Sequence, residues 1–287
     1  MGGNAVPANT PVNTIVSCGK RRLDLARPVV MGVLNVTPDS FSDGGRFCAP
    51  DQAVEHALRM CENGAGMVDI GGESTRPGAG DVSVERELER VIPVVEAVRS
   101  RTEAMVSVDT SKPGVMRSAA AAGADLINDV YALRAEGALE TAAELDTAVC
   151  LMHMQGTPRT MQANPRYDDV VAEVCDFLAG RVEACVAAGI ARERILVDPG
   201  FGFGKTLEHN LALLRGLGAL RGLGLPVLVG LSRKSFIGKI TGSGMEDRVY
   251  GSIAFALAAA REGASIIRAH DVRPTVDALK VWGAVYG

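Results

Sequence analysis

Eight short apolar runs recur along the chain, and most of them end in a polar or charged residue. Runs of this length that are rich in Val, Ile and Leu predict strands buried on both faces of a parallel sheet. Helical patterns separate most of the runs, so a strand followed by a helix is repeated eight times. The predicted strands are Val29–Val36, Met67–Gly72, Ala104–Thr110, Leu126–Val130, Ala148–Met154, Arg194–Gly200, Pro226–Ser232 and Ser265–Asp271. This order predicts an α/β fold, a single (β/α)8 TIM barrel whose active site lies at the C-terminal ends of its strands.

The length of the chain suits one barrel. It has 287 residues, and a TIM barrel needs ~250. No linker rich in Ser, Gly or Pro divides the sequence, so we expect one barrel domain over residues 29–287. Residues 1–28 are expected to form a polar tail and a β-hairpin of Asn13–Val16 and Arg21–Leu25. We expect the hairpin to close the N-terminal mouth of the barrel.

The helix after the second barrel strand has the clearest amphipathic pattern. Its apolar residues recur at steps of three and four, and the charged residues between them are expected to face solvent. The apolar set is Val84, Leu88, Val91, Val95 and Val98, and the charged set is Glu85, Arg86, Glu87 and Glu89. Long glycine-rich loops, Thr37–Pro50 and Glu73–Asp81, follow the first two strands and are candidates for lids that order over a substrate.

Composition argues against several classes of partner. The formal net charge is −4 and there is no basic tract, which disfavours nucleic acid or an anionic membrane surface. The cysteines form no CxxC pair, and we find neither a secretory pattern at the start nor an apolar stretch long enough to span a membrane. We therefore expect a cytoplasmic protein with reduced thiols.

Three polar residues end the third, fourth and sixth predicted strands: Asp109, Asn128 and Asp198. A carboxylate can accept two parallel hydrogen bonds from an amino-imine edge, and an Asn amide both donates and accepts. The trio therefore suits a planar nitrogen heterocycle. A divalent metal cage is the competing interpretation, which the absence of a histidine from the set disfavours.

A second group of residues predicts an anion site. Arg268 and His270 end the eighth strand, and strand alternation sends both side chains to the same face, as two cationic donors. Lys234 follows the seventh strand and adds another cation to this part of the rim. TIM barrels often bind phosphate near their seventh and eighth strands. The structural alternative is a salt-bridged Arg268 beside a core histidine.

The segment Pro199–Thr206 resembles a phosphate-binding P-loop, but Pro199 stands where that pattern needs its first glycine. We interpret the segment as a glycine-rich turn at the rim. Asn35, at the end of the first barrel strand, is interpreted as a neutral oxygen ligand or hydrogen-bond donor at the barrel mouth.

Longer motifs follow one another along most of the chain. They are Met31–Gly45 (MGVLNVTPDSFSDGG), Asp69–Gly78 (DIGGESTRPG), Ser107–Thr110 (SVDT), Asn128–Val130 (NDV), Leu151–Gly156 (LMHMQG), Asp198–Phe203 (DPGFGF), Ser232–Ser235 (SRKS) and Arg268–Asp271 (RAHD). In this order they resemble the dihydropteroate synthase family, from about Val30 to the C-terminus. Tyr131 departs from the smaller residue expected after the NDV motif and is expected to narrow the rim locally.

The resemblance implies condensation of 6-hydroxymethyl-7,8-dihydropterin diphosphate with para-aminobenzoate, giving 7,8-dihydropteroate and pyrophosphate in folate biosynthesis. It implies a pterin-diphosphate site of Thr75, Asp109, Asn128, Asp198, Lys234, Arg268 and His270. The implied para-aminobenzoate pocket consists of Phe41, Thr75, Arg76, Pro77, Phe203 and Ser235. Catalytic roles are implied for Lys234, Arg268, His270 and Asp43, and Mg²⁺ is implied as a cofactor held by Asn35. A homodimer and sensitivity to sulfonamides are expected on the same ground.

Three alternatives remain open at this point. A pterin-dependent methyltransferase domain would share the barrel but would not need the Thr37–Gly45 loop or the cationic Ser232–Ser235 segment. A Schiff-base aldolase could use Lys234 or Lys205. A non-catalytic pterin-binding paralogue would be expected to lose loop or diphosphate residues, and these are present.

Overall fold

The computed structural model of the protein describes residues 14–37, 45–74, 80–158 and 160–286. The strands are β1 (Ile15–Cys18), β2 (Arg21–Asp24), β3 (Val29–Asn35), β4 (Met67–Gly71), β5 (Met105–Asp109), β6 (Leu126–Asp129), β7 (Ala148–Met152), β8 (Ile195–Asp198), β9 (Leu228–Gly230) and β10 (Ile266–Ala269). The α-helices are α1 (Gly45–Glu62), α2 (Val84–Arg99), α3 (Pro113–Ala121), α4 (Ala138–Glu144), α5 (Val170–Ala187), α6 (Leu207–Arg215), α7 (Ser235–Thr241), α8 (Val249–Arg261) and α9 (Val272–Tyr286).

Strands β3 to β10 form one parallel sheet in the order β8-β7-β6-β5-β4-β3-β10-β9. A parallel bridge between Val197 and Val227 joins the two ends of the sheet and closes it into a barrel. The predicted (β/α)8 fold is confirmed, and each predicted barrel strand matches an observed one with ends within two residues. All eight C-terminal strand ends therefore meet at one rim.

The antiparallel hairpin of β1 and β2 packs against the opposite end of the barrel. Val16 and Leu23 face each other in the hairpin register and belong to one buried cluster with the first residues of several barrel strands. Those strand residues include Met67, Met105 and Leu126. The hairpin thus covers the N-terminal mouth with apolar side chains, as the sequence predicts.

Helix α2 buries Val91, Val94, Val95 and Val98 against the sheet, in agreement with its apolar periodicity. One prediction about this helix is wrong, because Glu87 is fully buried. Its carboxylate pairs with the ammonium of Lys112, which also lies 2.6 Å from Glu73 Oε2. A buried carboxylate is tolerated when it is paired and hydrogen-bonded, and the cation that pairs with Glu87 comes from the start of α3.

The helical pattern after the seventh predicted strand spans Glu246–Glu262, and helix α7 lies before it, outside that prediction. Helix α7 has seven residues, contains Gly238 and ends with Ile240 and Thr241, so neither length nor helix propensity marks it. Phe236 and Ile237 bury its inner side. The helix begins immediately after Lys234 and so fixes the backbone at that residue. Within the described residues, no helix is long and apolar enough to cross a membrane.

Candidate active site

The barrel brings together most of the polar residues predicted to form the site. Asp109, Asn128 and Asp198, from β5, β6 and β8, line one cavity at the rim. Lys234 and Arg268 line the same cavity, with Phe203 on one side. These side chains come from separate parts of the sequence and meet because the strand ends of a closed parallel barrel share one rim. Asn35, Ser235 and His270 lie near these elements but outside the lining.

Arg268 is held by two carboxylates at the floor of the cavity. Its Nε lies 2.6 Å from Asp69 Oδ2, and its Nη2 lies 3.2 Å from Asp109 Oδ2. Arg268 therefore forms the ion pair that was its structural alternative, and it also lines the cavity. The pair fixes the plane of the guanidinium, because Arg presents its donors in a rigid fork.

Asp69 is the member of this floor that the sequence analysis missed. Its carboxylate is fully buried and accepts hydrogen bonds from Ser107 Oγ at 2.5 Å and Asn128 Nδ2 at 3.1 Å, besides Arg268. A lone Asp inside the apolar run Met67–Gly71 was the available signal. Buried carboxylates within a strand need partners, so such a residue predicts a cation nearby.

The two predicted heterocycle-binding carboxylates have raised pKa values. Burial raises the pKa of Asp198 to about 6, although the backbone N–H of Gly200 donates to it at 2.7 Å and Lys234 lies nearby. Burial raises the pKa of Asp109 as well, and the neighbouring Asp69 raises it further while Arg268 opposes both. A ligand that donates hydrogen bonds to these groups stabilises their charged forms.

His270 differs from the sequence prediction in its charge. Burial lowers its pKa to about 4, and the positive charges of Arg268 and Arg233 contribute in the same direction. Its Nδ1 lies 3.1 Å from Ser232 Oγ, and that hydroxyl also accepts from the His270 backbone N–H. The prediction of two cationic donors at this strand end is therefore wrong at neutral pH, where the imidazole is a neutral hydrogen-bonding group.

Lys234 stands between a strained turn and an aromatic ring. The preceding residue, Arg233, has φ +57°, a left-handed conformation that is uncommon for a residue with a side chain. A bidentate ion pair holds Arg233 in place, with Nε and Nη2 at 3.0 Å and 2.6 Å from the carboxylate of Asp271. Lys234 Nζ lies 4.3 Å from the centroid of the Phe203 ring, which is cation–π geometry.

Comparison with known proteins agrees with this site. The sequence profile described as pterin binding enzyme matches residues 31–270. The chain is 57% identical to the dihydropteroate synthase of Escherichia coli strain K12 over 259 residues, which cover 90% of this chain and 92% of that one. This chain belongs to the dihydropteroate synthase family.

Solved structures of dihydropteroate synthases have the same fold as this chain. A Xanthomonas albilineans dihydropteroate synthase with 4-aminobenzoic acid has a TM-score of 0.90 and 56% identity, covering 95% of this chain and 98% of that one. A Yersinia pestis dihydropteroate synthase in complex with a sulfonamide drug has a TM-score of 0.90 and 53% identity, covering 94% and 98%. The family resemblance drawn from the motifs is confirmed.

Several residues that the dihydropteroate synthase resemblance implies lie outside the described residues. They are Phe41, Asp43, Thr75, Arg76 and Pro77. Of the implied para-aminobenzoate pocket, the structure describes Phe203, which lines the cavity, and Ser235, which is exposed as the first residue of α7.

Asn35, the last residue of β3, is the residue that the family resemblance implies as a ligand of Mg²⁺. A Cβ atom at Gly71 would lie 3.6 Å from Asp109 Cβ and 3.9 Å from Asn35 Oδ1, so this glycine keeps the space between the two side chains open. No group of three His, Cys, Asp or Glu side chains within the described ranges could hold a metal ion. Mg²⁺ is commonly bound by one or two protein oxygens together with substrate phosphates, and the Asn35 amide oxygen is compatible with that arrangement.

Tyr131 lies in an unusual turn directly after the Asn128-Asp129-Val130 motif of the family. The next two residues, Ala132 and Leu133, have φ of +54° and +56°. The Asp129 carboxylate accepts from the backbone N–H groups of Tyr131 and Leu133, each at 2.8 Å, and so holds the turn in this conformation. Tyr131 lines a second cavity of about 590 Å³ that shares Asp109 and Val130 with the first.

Proposed function

We propose that this chain is a dihydropteroate synthase. It condenses 6-hydroxymethyl-7,8-dihydropterin diphosphate with para-aminobenzoate and releases pyrophosphate, which is a step of folate biosynthesis. The observation that carries this proposal is the single cavity in which Asp109, Asn128 and Asp198 meet Lys234 and Arg268. The curated relative from Escherichia coli bears this activity as its name, and the Xanthomonas albilineans structure contains 4-aminobenzoic acid.

The three strand-end groups fit the pterin. Its amino-pyrimidine edge offers parallel N–H donors, which a carboxylate such as Asp198 or Asp109 accepts in pairs. The Asn128 amide can donate to a ring nitrogen or carbonyl and accept from a neighbouring N–H. Since Asn128 Nδ2 already donates to Asp69, its orientation is set before the substrate binds. A preorganised floor of this kind lowers the cost of ordering side chains on binding.

The cationic residues are suited to the leaving diphosphate. The pterin ring can delocalise positive charge onto its nitrogens, so the bond from the methylene carbon to the diphosphate oxygen can break early. Arg268 and Lys234 supply fixed positive charge where negative charge develops, which is the usual source of the largest catalytic effect. We assign neutral His270 a hydrogen-bond role toward the diphosphate. Asn35 and the substrate oxygens would hold Mg²⁺, which when bound supplies further positive charge beside the leaving group.

The amine needs positioning more than deprotonation. An arylamine is neutral near pH 7 and carries a free lone pair, so attack on the methylene carbon requires no base to activate it. The proton released after the new C–N bond forms can pass to water or to pyrophosphate. Phe203 offers an aromatic wall for the ring of para-aminobenzoate, and Lys234 lies against that wall.

We also propose that the protein is a cytoplasmic homodimer without a nucleic-acid partner. Large apolar side chains are exposed on α8 and α9, with Tyr250 79% and Tyr286 74% accessible. Val281 and Val285 are exposed on α9 as well, and the two helices pack against each other. Large exposed apolar side chains on two adjacent helices favour an interface between two copies of the chain. The mass in solution at several concentrations tests the dimer, and the net charge of −4 argues against nucleic acid.

The test of the activity is pyrophosphate release from the purified protein given the pterin diphosphate and Mg²⁺, with and without para-aminobenzoate. We expect release that depends on the arylamine and is matched by dihydropteroate. Tight binding of pterin without any product would instead favour the non-catalytic paralogue.

A further inference from the structure

The segment between β8 and α6, residues 199–206, resembles a P-loop in sequence but differs in which backbone groups point inward. Gly200, Gly202 and Gly204 have φ of +68°, +80° and +62°, so the chain coils tightly between the strand and the helix. In a P-loop, backbone N–H groups converge on a phosphate. Here, backbone carbonyls converge on a cation of the protein itself.

That cation is the ammonium form of Lys205, whose side chain is only 3% exposed. Burial lowers the pKa of this amine to about 7, and the negative charge of Asp198 opposes the shift. Nζ lies 3.0 Å from the carbonyl oxygen of Gly200 and 3.1 Å from that of Phe203. Its third neighbour is His153 Nδ1, at 2.9 Å. Burial and the charge of Lys205 lower the pKa of His153 to about 3, so the imidazole is neutral and Nδ1 accepts. A buried ammonium is costly unless its donors are satisfied, and this one has three acceptors.

The coil packs against residues 153–155, which directly follow β7. A Cβ atom at Gly200 would clash with the carbonyl oxygen of His153, and one at Gly204 would lie 2.7 Å from the carbonyl oxygen of Gln155. Tyr167 Oη donates to the Gly204 carbonyl at 2.9 Å. These contacts hold the loop backbone in one position against residues 153–155, and the buried Lys205 side chain adds hydrogen bonds that keep it there.

Two parts of this loop form the wall of the candidate active site. Gly200 N–H donates to the Asp198 carboxylate at 2.7 Å. Phe203, whose carbonyl binds Lys205, presents its ring to Lys234 Nζ at 4.3 Å. A Cβ atom at Gly202 would lie 3.3 Å from Lys234 Cδ, so the loop backbone also contacts the aliphatic stem of that lysine.

We propose that Lys205 is a positioning residue for the amine substrate: its ammonium fixes the backbone of Phe203 and thereby the ring against which Lys234 and para-aminobenzoate lie. This inference rests on the proposed function. Lys205 does not itself line the cavity, but its Nζ donates to the carbonyls of two residues that do, Gly200 and Phe203, so it acts through them. Two of the three pterin-binding groups, Asp109 and Asn128, lie on β5 and β6 away from Lys205, so most of the pterin affinity is expected to remain when Lys205 is replaced, with a small loss through Asp198.

The test is Lys205→Met, with Lys20→Met as the matched control. Lys20 is exposed in the hairpin at the other end of the barrel. In Lys205→Met we expect KM for para-aminobenzoate to rise by about tenfold, with kcat and the Kd for 6-hydroxymethylpterin within about threefold of wild type. In Lys20→Met all three values are expected to be unchanged. An unchanged KM for para-aminobenzoate in Lys205→Met would overturn the proposal, and so would an equal loss of pterin affinity.

A double-mutant cycle with Phe203→Ala separates action through Phe203 from a general loss of structure. Without the ring, Lys205→Met is expected to add no further rise in KM, whereas independent effects would multiply and would contradict the proposal. Should Lys205→Met not fold, Lys205→Gln, which keeps two N–H donors without the charge, is measured by the same criteria.

The wild-type arm keeps the two hypotheses apart. Absence of arylamine-dependent pyrophosphate release in wild type would contradict the proposed function. The role of Lys205 is then decided by crystal structures of wild type and the folded Lys205 variant, in which we expect the Phe203 ring to move away from Lys234. An unmoved ring would overturn the positioning role.

Discussion

Arg268 Nε lies 2.6 Å from Oδ2 of Asp69, a carboxylate with no exposed surface. This contact joins β10 to β4 across the interior of the barrel, so the guanidinium at the floor of the cavity is oriented by a residue that the substrate does not reach. Removing one partner of a buried ion pair leaves the other charge uncompensated and is strongly destabilising.

We therefore expect Asp69→Asn to destabilise the fold by about 3 kcal/mol, the usual cost of breaking a buried pair. Asp277→Asn is the matched control, because Asp277 forms a pair of the same geometry with Arg273 at 2.7 Å on the exposed surface of α9. Exposed pairs contribute at most about 1 kcal/mol. Urea unfolding of both variants measures the difference, and equal free energies of unfolding would contradict a structural role for the buried pair.

Arg268→Ala is expected to lower turnover far more than it weakens pterin binding. The arginine lies where the leaving diphosphate is expected to develop negative charge, and an interaction made mainly in the transition state changes kcat more than ground-state affinity. Steady-state kinetics and titration with 6-hydroxymethylpterin, which lacks the diphosphate, give the two quantities. Equal losses in both would contradict the leaving-group role.

Pterin affinity is expected to depend on pH through Asp198. Burial raises the pKa of this carboxyl to about 6 in the free protein, and a pterin that donates hydrogen bonds binds the charged form. Protonation competes with binding, so affinity falls as pH decreases through 6 and levels off above 7. Between pH 7 and pH 5 the contribution of Asp198 to this loss is about tenfold, because one pH unit below the pKa leaves about a tenth of the groups charged.

The control for this dependence is Asp198→Asn. It is expected to bind 6-hydroxymethylpterin more weakly at pH 7 and to have a flatter pH profile, with the remaining slope coming from Asp109, whose pKa burial also raises. The diphosphate is left out of the ligand because its own phosphate group titrates near pH 6. A profile as steep as that of wild type would assign the dependence to another group.

The order of the strands and the identity of most rim residues could be predicted from the sequence, because both depend on local pattern. The apolar runs are short and bounded, and Asp109, Asn128 and Asp198 stand at their ends. The charge states could not be predicted in this way. His270 is neutral because burial and the positive charges of Arg268 and Arg233 lower its pKa. These neighbours come together only in the folded barrel.

Pairings across the barrel escaped sequence analysis for the same reason. Glu87 has the spacing of a solvent-facing residue on α2, yet it is buried against Lys112 from the next βα unit. Asp69 lies inside an apolar run, and the residue with which it forms an ion pair, Arg268, lies far along the chain. Helix α7 was missed because a seven-residue helix carries too little periodicity to detect.

Sulfonamides are expected to compete with para-aminobenzoate. The Yersinia pestis relative was solved in complex with a sulfonamide drug, and this chain retains Phe203 beside Lys234 on the same side of its cavity. We expect sulfamethoxazole to raise KM for para-aminobenzoate while leaving kcat unchanged at saturating amine. Inhibition that a large excess of para-aminobenzoate fails to relieve would place the drug at another site.

Gly200 provides a test of how rigidly the loop of residues 199–206 is held against residues 153–155. Gly200 has φ +68°, and a Cβ atom there would clash with the carbonyl oxygen of His153, which belongs to the backbone and cannot turn away. The left-handed conformation alone costs a residue with a side chain about 1–2 kcal/mol. We therefore expect Gly200→Ala to lower the free energy of unfolding by at least about 2 kcal/mol.

Gly180→Ala is the opposite case. Gly180 lies in α5 with no atom within 4 Å of a Cβ at that position, so alanine there is expected to stabilise the helix by about 0.5–1 kcal/mol. Chemical unfolding of the two variants beside wild type gives both signs. A Gly200→Ala protein as stable as wild type would mean that the loop can leave its seat against β7 without cost, and the fixed position of Phe203 would then need another explanation.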